Sequence, residues 1–265
     1  MKILYCGDIV GRAGRNVIIK HLKEVRQKYQ VDAVLVNAEN AAHGFGLTPG
    51  IAEDLLHNGV DGIITGNHIW QQKEIYPFLD SNQQIIRPLN YPETLPGKGA
   101  QILNINGKKL LIAQVLGRLF MPPINSITEP LDKLLKQYPL GKNVDAILID
   151  IHGEATSEKL ALGYYLDGRV SLIAGTHTHV PTADARILPQ HSGYITDIGM
   201  CGDFESVLGF EPATPIERLT ERLTIQNRLI PANGEKLTIW GILAETNSDG
   251  LCNHITQIKE VYNND

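Results

Sequence analysis

The chain has 265 residues, 43% of them hydrophobic, which is enough for one sizeable core, so we expect a single domain over residues 1–265. Its formal net charge of -5 excludes the overall positive electrostatic potential with which many proteins bind nucleic acid. Its three widely spaced cysteines exclude a disulfide framework and a zinc knuckle of paired cysteines.

The first part of the chain predicts alternating strands and helices. Three apolar runs predict buried strands: residues 2–6, 33–37 and 62–65. Apolar residues spaced at three and four positions predict an amphipathic helix over residues 16–29. A second helix is predicted over residues 49–56, with Thr48 as its N-cap and Pro49 at its first position. This βαβαβ order is typical of a largely parallel sheet covered by helices.

The rest of the chain adds hairpins to this pattern. The dipeptide Asn106-Gly107, between two strand-like runs, predicts a hairpin within residues 100–115. Helices are predicted over residues 127–137 and 157–166. Further strands are predicted over residues 146–151, 171–174, 183–188, 193–198, 236–245 and 252–261. Such mixed pairing predicts two sheets packed face to face, with helices outside.

Five predicted strands end in a short group of oxygen and nitrogen donors. These groups contain Asp8; Glu39 and Asn40; Asn67 and His68; His152; and His177 and His179. Each group alone has a simpler interpretation as a turn, a helix cap or a hydrogen-bonded loop residue. Ligand sites in open α/β sheets lie at the carboxyl ends of the strands, so we expect the groups to converge. Their joint occurrence favours a metal site.

The donor set also indicates which metals fit. Carboxylate, amide and imidazole ligands without thiolates suit Mn, Fe or Zn better than copper(I) or an iron–sulfur cluster. The donors exceed what one tetrahedral ion needs, which favours two ions with Glu39 between them. Such ions, ~3.5–4 Å apart, can clamp the attacking and leaving oxygens of a displacement. On a strand, His177 and His179 would point to the same face.

The motifs resemble those of the calcineurin-like metallophosphoesterases. They are GD at 7–8, NAEN at 37–40, GNH at 66–68, the histidine at 152 and GTHTH at 175–179. Within that superfamily the chain is most similar to the YmdB-type branch of 2′,3′-cyclic-nucleotide 2′-phosphodiesterases. The likeness runs along nearly the full chain and includes the opening KILYCGDIVGRAGR and the later TDIGMCGD.

This resemblance implies a four-layer α/β/β/α sandwich of two mixed sheets around two metal ions, iron or alternatively manganese. One implied ligand set is Asp8, Glu39, Asn40 and His179. The other is Glu39, Asn67, His152 and His177, so that Glu39 bridges the two ions. The resemblance also implies that His68 is the proton donor beside the metals.

The sequence departs from the wider superfamily at two of these positions. The usual first motif is Asp-x-His, but Ile9 and Val10 follow Asp8, and we expect Asn40 to take the place of the missing histidine. Glu39 also stands where the superfamily usually has a bridging aspartate. The metal preference therefore cannot be taken from the better-known phosphatases.

Our mechanistic hypothesis is hydrolysis of cyclic nucleotides, either 2′,3′-cyclic nucleotides or 3′,5′-cyclic AMP. A hydroxide between the metals would attack phosphorus while His68 protonates the departing sugar oxygen. One alternative is a broad metallophosphatase or an RNA-end nuclease with the same site. A second is a non-catalytic nucleotide-binding regulatory protein, because Gly7, Gly11 and Gly14 superficially resemble a phosphate loop, although their spacing is not GxGxxG.

The remaining expectations concern neighbouring segments and partners. Residues 43–46 (HGFG) form either a substrate-facing loop or an ordinary surface loop, and Asp197 is a candidate partner for a histidine ligand. The expected partner is a small anionic nucleotide, with nucleic acid not favoured, and a homo-oligomer is expected. Asp8 interrupts the N-terminal apolar run too early for a signal peptide, and no apolar stretch is long enough to cross a membrane, so we expect a cytoplasmic protein.

Overall fold

The structure is a computed structural model that describes residues 1–122, 124–220 and 228–264. The strands in these ranges are β1 (Lys2–Ile9), β2 (Ala33–Asn37), β3 (Gly62–Ile64), β4 (Ile85–Ile86), β5 (Ala100–Ile105), β6 (Lys108–Leu116), β7 (Ala146–His152), β8 (Leu172–Thr176), β9 (Arg186–Ile187), β10 (Gly193–Ile195), β11 (Met200–Asp203), β12 (Lys236–Thr246) and β13 (Cys252–Asn263). The α-helices are α1 (Gly11–Tyr29), α2 (Pro49–His57), α3 (Ile75–Ser81), α4 (Thr128–Gln137), α5 (Thr156–Leu166) and α6 (Ala213–Thr220).

The strands form two mixed sheets that pack face to face. The first sheet has the order β13-β12-β11-β1-β2-β3-β4, and the second has the order β5-β6-β7-β8-β10-β9. Helices α1, α2 and α3 cover the outer face of the first sheet, and α4 and α5 cover the outer face of the second. The predicted four-layer α/β/β/α sandwich is therefore confirmed.

The alternation of side chains along the central strands explains this layering. In β1, Ile3 and Tyr5 lie in the core between the sheets, whereas Leu4 and Cys6 pack against the helices. β6 behaves in the same way, because Ile112 faces the other sheet and its neighbours face α4 and α5. A strand covered on both faces has to be apolar at every position, which is why these strands read as continuous apolar runs.

Local signals in the sequence located several turns and caps correctly. Thr48 caps α2, since its hydroxyl accepts a hydrogen bond from the backbone N–H of Ile51 at 3.3 Å, and Pro49 is the first helical residue. Asn106 and Gly107 both have positive φ angles, 52° and 84°, and connect β5 to β6 as a tight hairpin. Positive φ at both central residues is the feature that favours Asn-Gly in such turns.

Other elements differ from their predictions. Helix α1 begins at Gly11 rather than at residue 16, and only Arg186–Ile187 of the predicted strand 183–188 is paired. β4, β11, α3 and α6 were not predicted. β11 is a four-residue segment whose pairing with both β1 and β12, rather than its own composition, makes it a strand. No helix within the described residues combines the length and apolarity that a membrane crossing requires.

Two glycines, one in β1 and one in the first turn of α1, have a packing role. A Cβ on Gly7 would lie 2.1 Å from the carbonyl oxygen of Gly199, and one on Gly14 would lie 2.4 Å from that of Cys201. The absence of side chains at these two positions therefore lets β1 and α1 approach the segment around β11. This explains the glycines that superficially resembled a phosphate loop.

The core between the sheets predicts a difference between two isoleucines. Ile112 is fully buried there, whereas Ile102, on the neighbouring strand β5, is 38% exposed. We expect Ile112→Ala to lower the free energy of unfolding by about 2–5 kcal/mol, because it leaves a cavity. Ile102→Ala should change it by only about 0.5 kcal/mol. Urea unfolding of both variants at equal metal content measures this, and equal losses would contradict the assignment of the core.

Candidate metal centre

The core between the sheets changes from apolar to polar at the carboxyl ends of the strands. In β7 the inward-facing row that includes Leu148 continues as Asp150 and His152, and Asn37 and Thr176 occupy equivalent positions on β2 and β8. All four polar side chains are buried. The Thr176 hydroxyl lies 2.9 Å from an Asp150 carboxylate oxygen and 2.8 Å from Nδ1 of His152. This network fixes the His152 ring and leaves its Nε2 directed at the donors that follow the strands.

Nε2 of His152 is the centre of a first group of donors. It lies 3.1 Å from Oε1 of Glu39, 3.0 Å from Oδ1 of Asn67 and 3.2 Å from Nδ1 of His177. Ligand atoms of Glu39, His152 and His177 all lie within 4.8 Å of one another. A proton on this nitrogen can form a hydrogen bond to only one of the three neighbouring atoms. A cation placed among them could be bound by all of them. The group therefore fits a metal ion.

A second group of donors contains Asp8, Asn40 and His179. Nε2 of His179 lies 3.3 Å from Oδ1 of Asn40 and 3.8 Å from Oδ2 of Asp8. Oδ1 of Asp8 is buried and has no hydrogen-bond partner in the described part of the chain. Because buried polar atoms are rarely left unpaired, an unpaired carboxylate oxygen beside an imidazole fits a second cation.

His177 and His179 reach different groups because the strand ends before them. β8 ends at Thr176, and the two histidines have φ angles of 98° and 64°. The prediction that both would point to the same face of a strand is therefore wrong. Non-glycine residues at positive φ are strained and persist only where the surrounding structure holds them.

A buried ion pair holds this loop. Nζ of Lys159 donates to the Thr176 carbonyl at 2.7 Å and to Oδ2 of Asp197 at 2.8 Å. The same Asp197 oxygen accepts from the backbone N–H of Thr178 at 3.1 Å and from its hydroxyl at 2.8 Å. Asp197 therefore holds the residue between the two histidines, rather than a histidine itself as the sequence suggested.

His68 faces a cavity of about 400 Å³ beside both groups. Its backbone N–H donates to Oε2 of Glu39 at 3.2 Å, and its ring lies edge-to-face with Phe45 at 5.0 Å. Nδ1 of His68 is buried without a hydrogen-bond partner in the described residues. Phe45 lines the cavity, so the HGFG segment reaches the site rather than lying apart from it.

The backbone before His68 approaches the donors closely. A Cβ on Gly66 would lie 2.1 Å from Oε2 of Glu39 and 2.7 Å from Nε2 of His152. Glycine is therefore needed at this position for Asn67 and His68 to reach the site.

The charges of the first group are strongly coupled in the metal-free protein. Burial opposes the charged forms, but the Glu39 carboxylate raises the pKa of His152 to about 9, and His152 in turn lowers the pKa of Glu39 to about 2. Burial, together with the charge on His152, lowers the pKa of His177 to about 3. Burial raises the pKa of Asp8 well above its ordinary value. His152 thus carries a proton at neutral pH that a bound metal would displace.

Several supporting residues escaped the sequence analysis. Oε2 of Glu154 lies 3.3 Å from Nε2 of His177, and Lys159 is buried inside an otherwise ordinary helix. Of these residues, Asp150 could have been identified from the sequence. It precedes His152 by two residues in an apolar strand, so the two side chains lie on the same face.

Comparisons with known proteins agree with this geometry. A sequence model described as "YmdB-like protein" matches residues 4–258. The chain is 44% identical over 245 residues to the 2′,3′-cyclic-nucleotide 2′-phosphodiesterase of Bacillus subtilis strain 168, covering 92% of this chain and 91% of that protein.

Two solved structures are similar along the whole chain. A crystal structure of a phosphatase from Mycoplasma pneumoniae has a TM-score of 0.90 and 34% identity, covering 100% of this chain and 94% of that one. A hypothetical protein from Thermus thermophilus has a TM-score of 0.89 and 39% identity, with 100% of both chains covered.

The raised pKa of His152 predicts that metal binding releases a proton. Metal ligation requires the neutral imidazole, so ions that bind below pH 9 displace this proton, and the release disappears as the pH rises through about 9. We expect metal binding at pH 7 to release at least about one proton per protein. Calorimetric titration with Mn²⁺ at pH 7, in buffers of different ionisation enthalpy, measures it, and the absence of proton release would contradict the prediction.

The buried ion pair predicts a loss of metal affinity when it is broken. Lys159→Met leaves Asp197 as an uncompensated buried charge and frees the loop, so we expect metal affinity to fall roughly 10–100-fold. Arg169→Met is the matched control, because its ion pair with Asp132 is half exposed. Metal content after dialysis against graded chelator distinguishes the two, and equal retention would show that the pair does not position the ligands.

Proposed function

The chain belongs to the YmdB-like protein family, and we propose that it is a dinuclear-metal phosphodiesterase that opens 2′,3′-cyclic nucleotides to nucleoside 3′-phosphates. The observation that carries this proposal is the convergence of two donor groups on one cavity, around His152 and around His179. The name of the Bacillus subtilis relative supports the substrate class.

We propose the following ligand sets for the two ions. Asp8, Glu39, Asn40 and His179 bind the first ion, and Glu39, Asn67, His152 and His177 bind the second. The close approach of Asn67 and His177 to His152 supports the second set, and that of Asn40 to His179 supports the first. Oxygen and nitrogen ligands without a thiolate suit manganese, iron or zinc. The resemblance to the metallophosphoesterases favours iron among these, with manganese as the alternative.

The reaction adds water across one phosphoester bond. Two divalent cations held by these residues would lower the pKa of a water molecule at the site from 15.7 to roughly 7 and would neutralise charge on the phosphoryl oxygens. The P–O2′ bond breaks, the water oxygen remains on phosphorus, and the 2′-oxygen leaves with a proton. His68 lines the cavity beside Glu39, and we assign to it the donation of that proton.

The environment of His68 determines when it can act. Burial lowers the pKa of its imidazole, which opposes protonation of the free protein, while the charge of Glu39 acts in the other direction. The negative charge of a bound phosphodiester would act in the same direction as Glu39 and against the positive charge of the metal ions, so the substrate itself promotes the protonated form. Proton donation is then coupled to substrate binding.

The shape of the site favours small substrates over polymers. The cavity holds about 400 Å³, and Arg218 is the only Lys or Arg among its described lining residues. A nuclease groove would instead present a row of basic side chains. A mononucleotide is therefore preferred to the RNA ends of the alternative activity, whereas 3′,5′-cyclic AMP has the same charge and similar size.

We further propose that residues 1–265 act as one domain in a cytoplasmic homo-oligomer. A continuous core that joins Ile3 to Ile255 supports the single domain. The cysteines at 6, 201 and 252 are free and buried, which supports a reducing compartment.

The substrate assignment is tested by product analysis. Wild-type protein loaded with Mn²⁺ or Fe²⁺ should convert 2′,3′-cyclic AMP to adenosine 3′-phosphate. A panel with 3′,5′-cyclic AMP and a phosphomonoester, separated by chromatography, measures selectivity. Hydrolysis of the monoester alone, or formation of adenosine 2′-phosphate, would contradict the proposal.

The role of His68 is tested by His68→Ala. We expect metal content to be unchanged and kcat to fall roughly 10²–10⁴-fold, the usual contribution of a positioned acid. His57→Ala, which removes an exposed histidine at the end of α2, is the control and should retain full activity. Full activity of His68→Ala would refute the assignment.

A further inference from the structure

The cavity beside the donor groups has an apolar side. We define the apolar wall as Phe45, Val207, Leu208, Phe210, Pro215 and Leu229, which line the cavity together with the metal-binding residues. Two regions of the chain build this wall, the loop after Glu39 and the segment after β11. A polar reaction on phosphorus does not require such a surface, so the wall calls for a different explanation.

Direct contacts join the wall to the chemical groups of the site. The Phe45 ring lies 5.0 Å from the ring of His68, and the carbonyl oxygen of Leu208 lies 2.9 Å from Nδ1 of His179. Phe45 and Phe210 stack on each other at 5.5 Å with 23° between their planes. A molecule whose phosphate lies at the donor groups would therefore touch the wall with whatever is attached to that phosphate.

The wall exposes apolar surface that packing does not explain. Leu208 is 45% exposed and Val207 is 38% exposed. Leu208 also has a φ of 54°, an unfavourable conformation for a leucine. Strained backbone and exposed apolar side chains at one position are typical of binding sites.

We propose that the apolar wall is the nucleobase subsite of the enzyme, with Phe45 as its main contact. This inference rests on the proposed function. In a 2′,3′-cyclic nucleotide the cyclic phosphodiester ring is fused to the ribose ring. The base therefore lies only a few bonds from the phosphorus atom that reacts. A flat, weakly polar base suits an aromatic and aliphatic surface of this size.

The composition of the wall also determines its selectivity. Apart from the proposed metal and proton-donating residues, the polar side chains that line the cavity are Glu154, Thr178 and Arg218. Stacking on apolar side chains tolerates every base, because each base has a π-face. The subsite thus requires a base but discriminates weakly among adenine, guanine, cytosine and uracil.

A baseless substrate separates binding of the base from the chemistry. Glycerol 1,2-cyclic phosphate carries the same strained diester without a base. Because the Phe45 ring also contacts His68, Phe45→Ala can lower turnover of both substrates. We expect the loss of kcat/KM for 2′,3′-cyclic AMP to exceed that for glycerol 1,2-cyclic phosphate roughly 10–100-fold. The calorimetric Kd of adenosine 3′-phosphate should rise by a similar factor, and Phe45→Trp should restore both values.

Matched variants guard against a folding defect. Phe120→Ala removes a phenylalanine that is 89% exposed and does not line this cavity, and it should behave as wild type. If Phe45→Ala does not fold, Leu208→Ala tests the same wall with a smaller change, for which we expect a loss of at least roughly fivefold on the nucleotide alone.

The outcomes distinguish this proposal from the proposed function. Equal losses on both substrates, or a spread of more than about 100-fold among the four 2′,3′-cyclic nucleotides in the wild type, would overturn the stacking subsite and leave the phosphodiesterase intact. Wild-type protein that hydrolyses neither cyclic diester when loaded with metal would instead overturn the proposed function, and the subsite with it.

Discussion

Charge buried between two apolar sheets is the constraint on which the rest of this structure depends. Glu39 and His152 are almost fully excluded from solvent and lie 3.1 Å apart. Removing His152 would take away the main positive partner of the buried Glu39 carboxylate, and breaking such a pair costs about 3–5 kcal/mol. At the proposed site a metal ion would replace the proton of His152 and would leave Glu39 paired with a positive charge. Stability and metal binding are therefore linked at this position.

The two-sheet architecture is what makes this burial possible. Because the inward rows of β2, β7 and β8 all end in polar side chains, each one finds a partner. Asp150 pairs with Thr176 on the neighbouring strand, and Asn37 lies 3.4 Å from the Thr176 hydroxyl across the space between the sheets. A polar row on only one strand would have remained unpaired. A second interaction outside the sheets also stabilises the site. Lys159 of α5 pairs with Asp197, which in turn holds the strained loop that carries His177 and His179.

The sequence predicted the layers correctly, and the structure brings the candidate donors together as expected, because both depend on local patterns. Apolar runs that end in Asp, Asn or His identify strand ends. Because parallel strands end at the same edge of a sheet, these side chains come together there. The sequence could not show that β8 stops at Thr176, because that depends on the hydrogen bonds of Asp197, a residue distant in the chain. Nor could it show that Met200–Asp203 is a strand, since its two neighbours determine its conformation. Long-range contacts, rather than propensity, account for these errors.

The two sides of the cavity are built from different kinds of structure. The donors lie at the ends of strands whose register is fixed by the sheets, or shortly after them, so a shift of one residue would remove them from the site. Apart from Pro215 in α6, the apolar wall comes from loops. Phe210 packs so closely on Gly44 that a Cβ on Gly44 would lie 2.7 Å from the ring. Loops tolerate substitution better than paired strands. A protein built in this way can change what its cavity holds without disturbing the candidate metal ligands. We therefore expect the wall, more than the donors, to determine which molecules the cavity accepts.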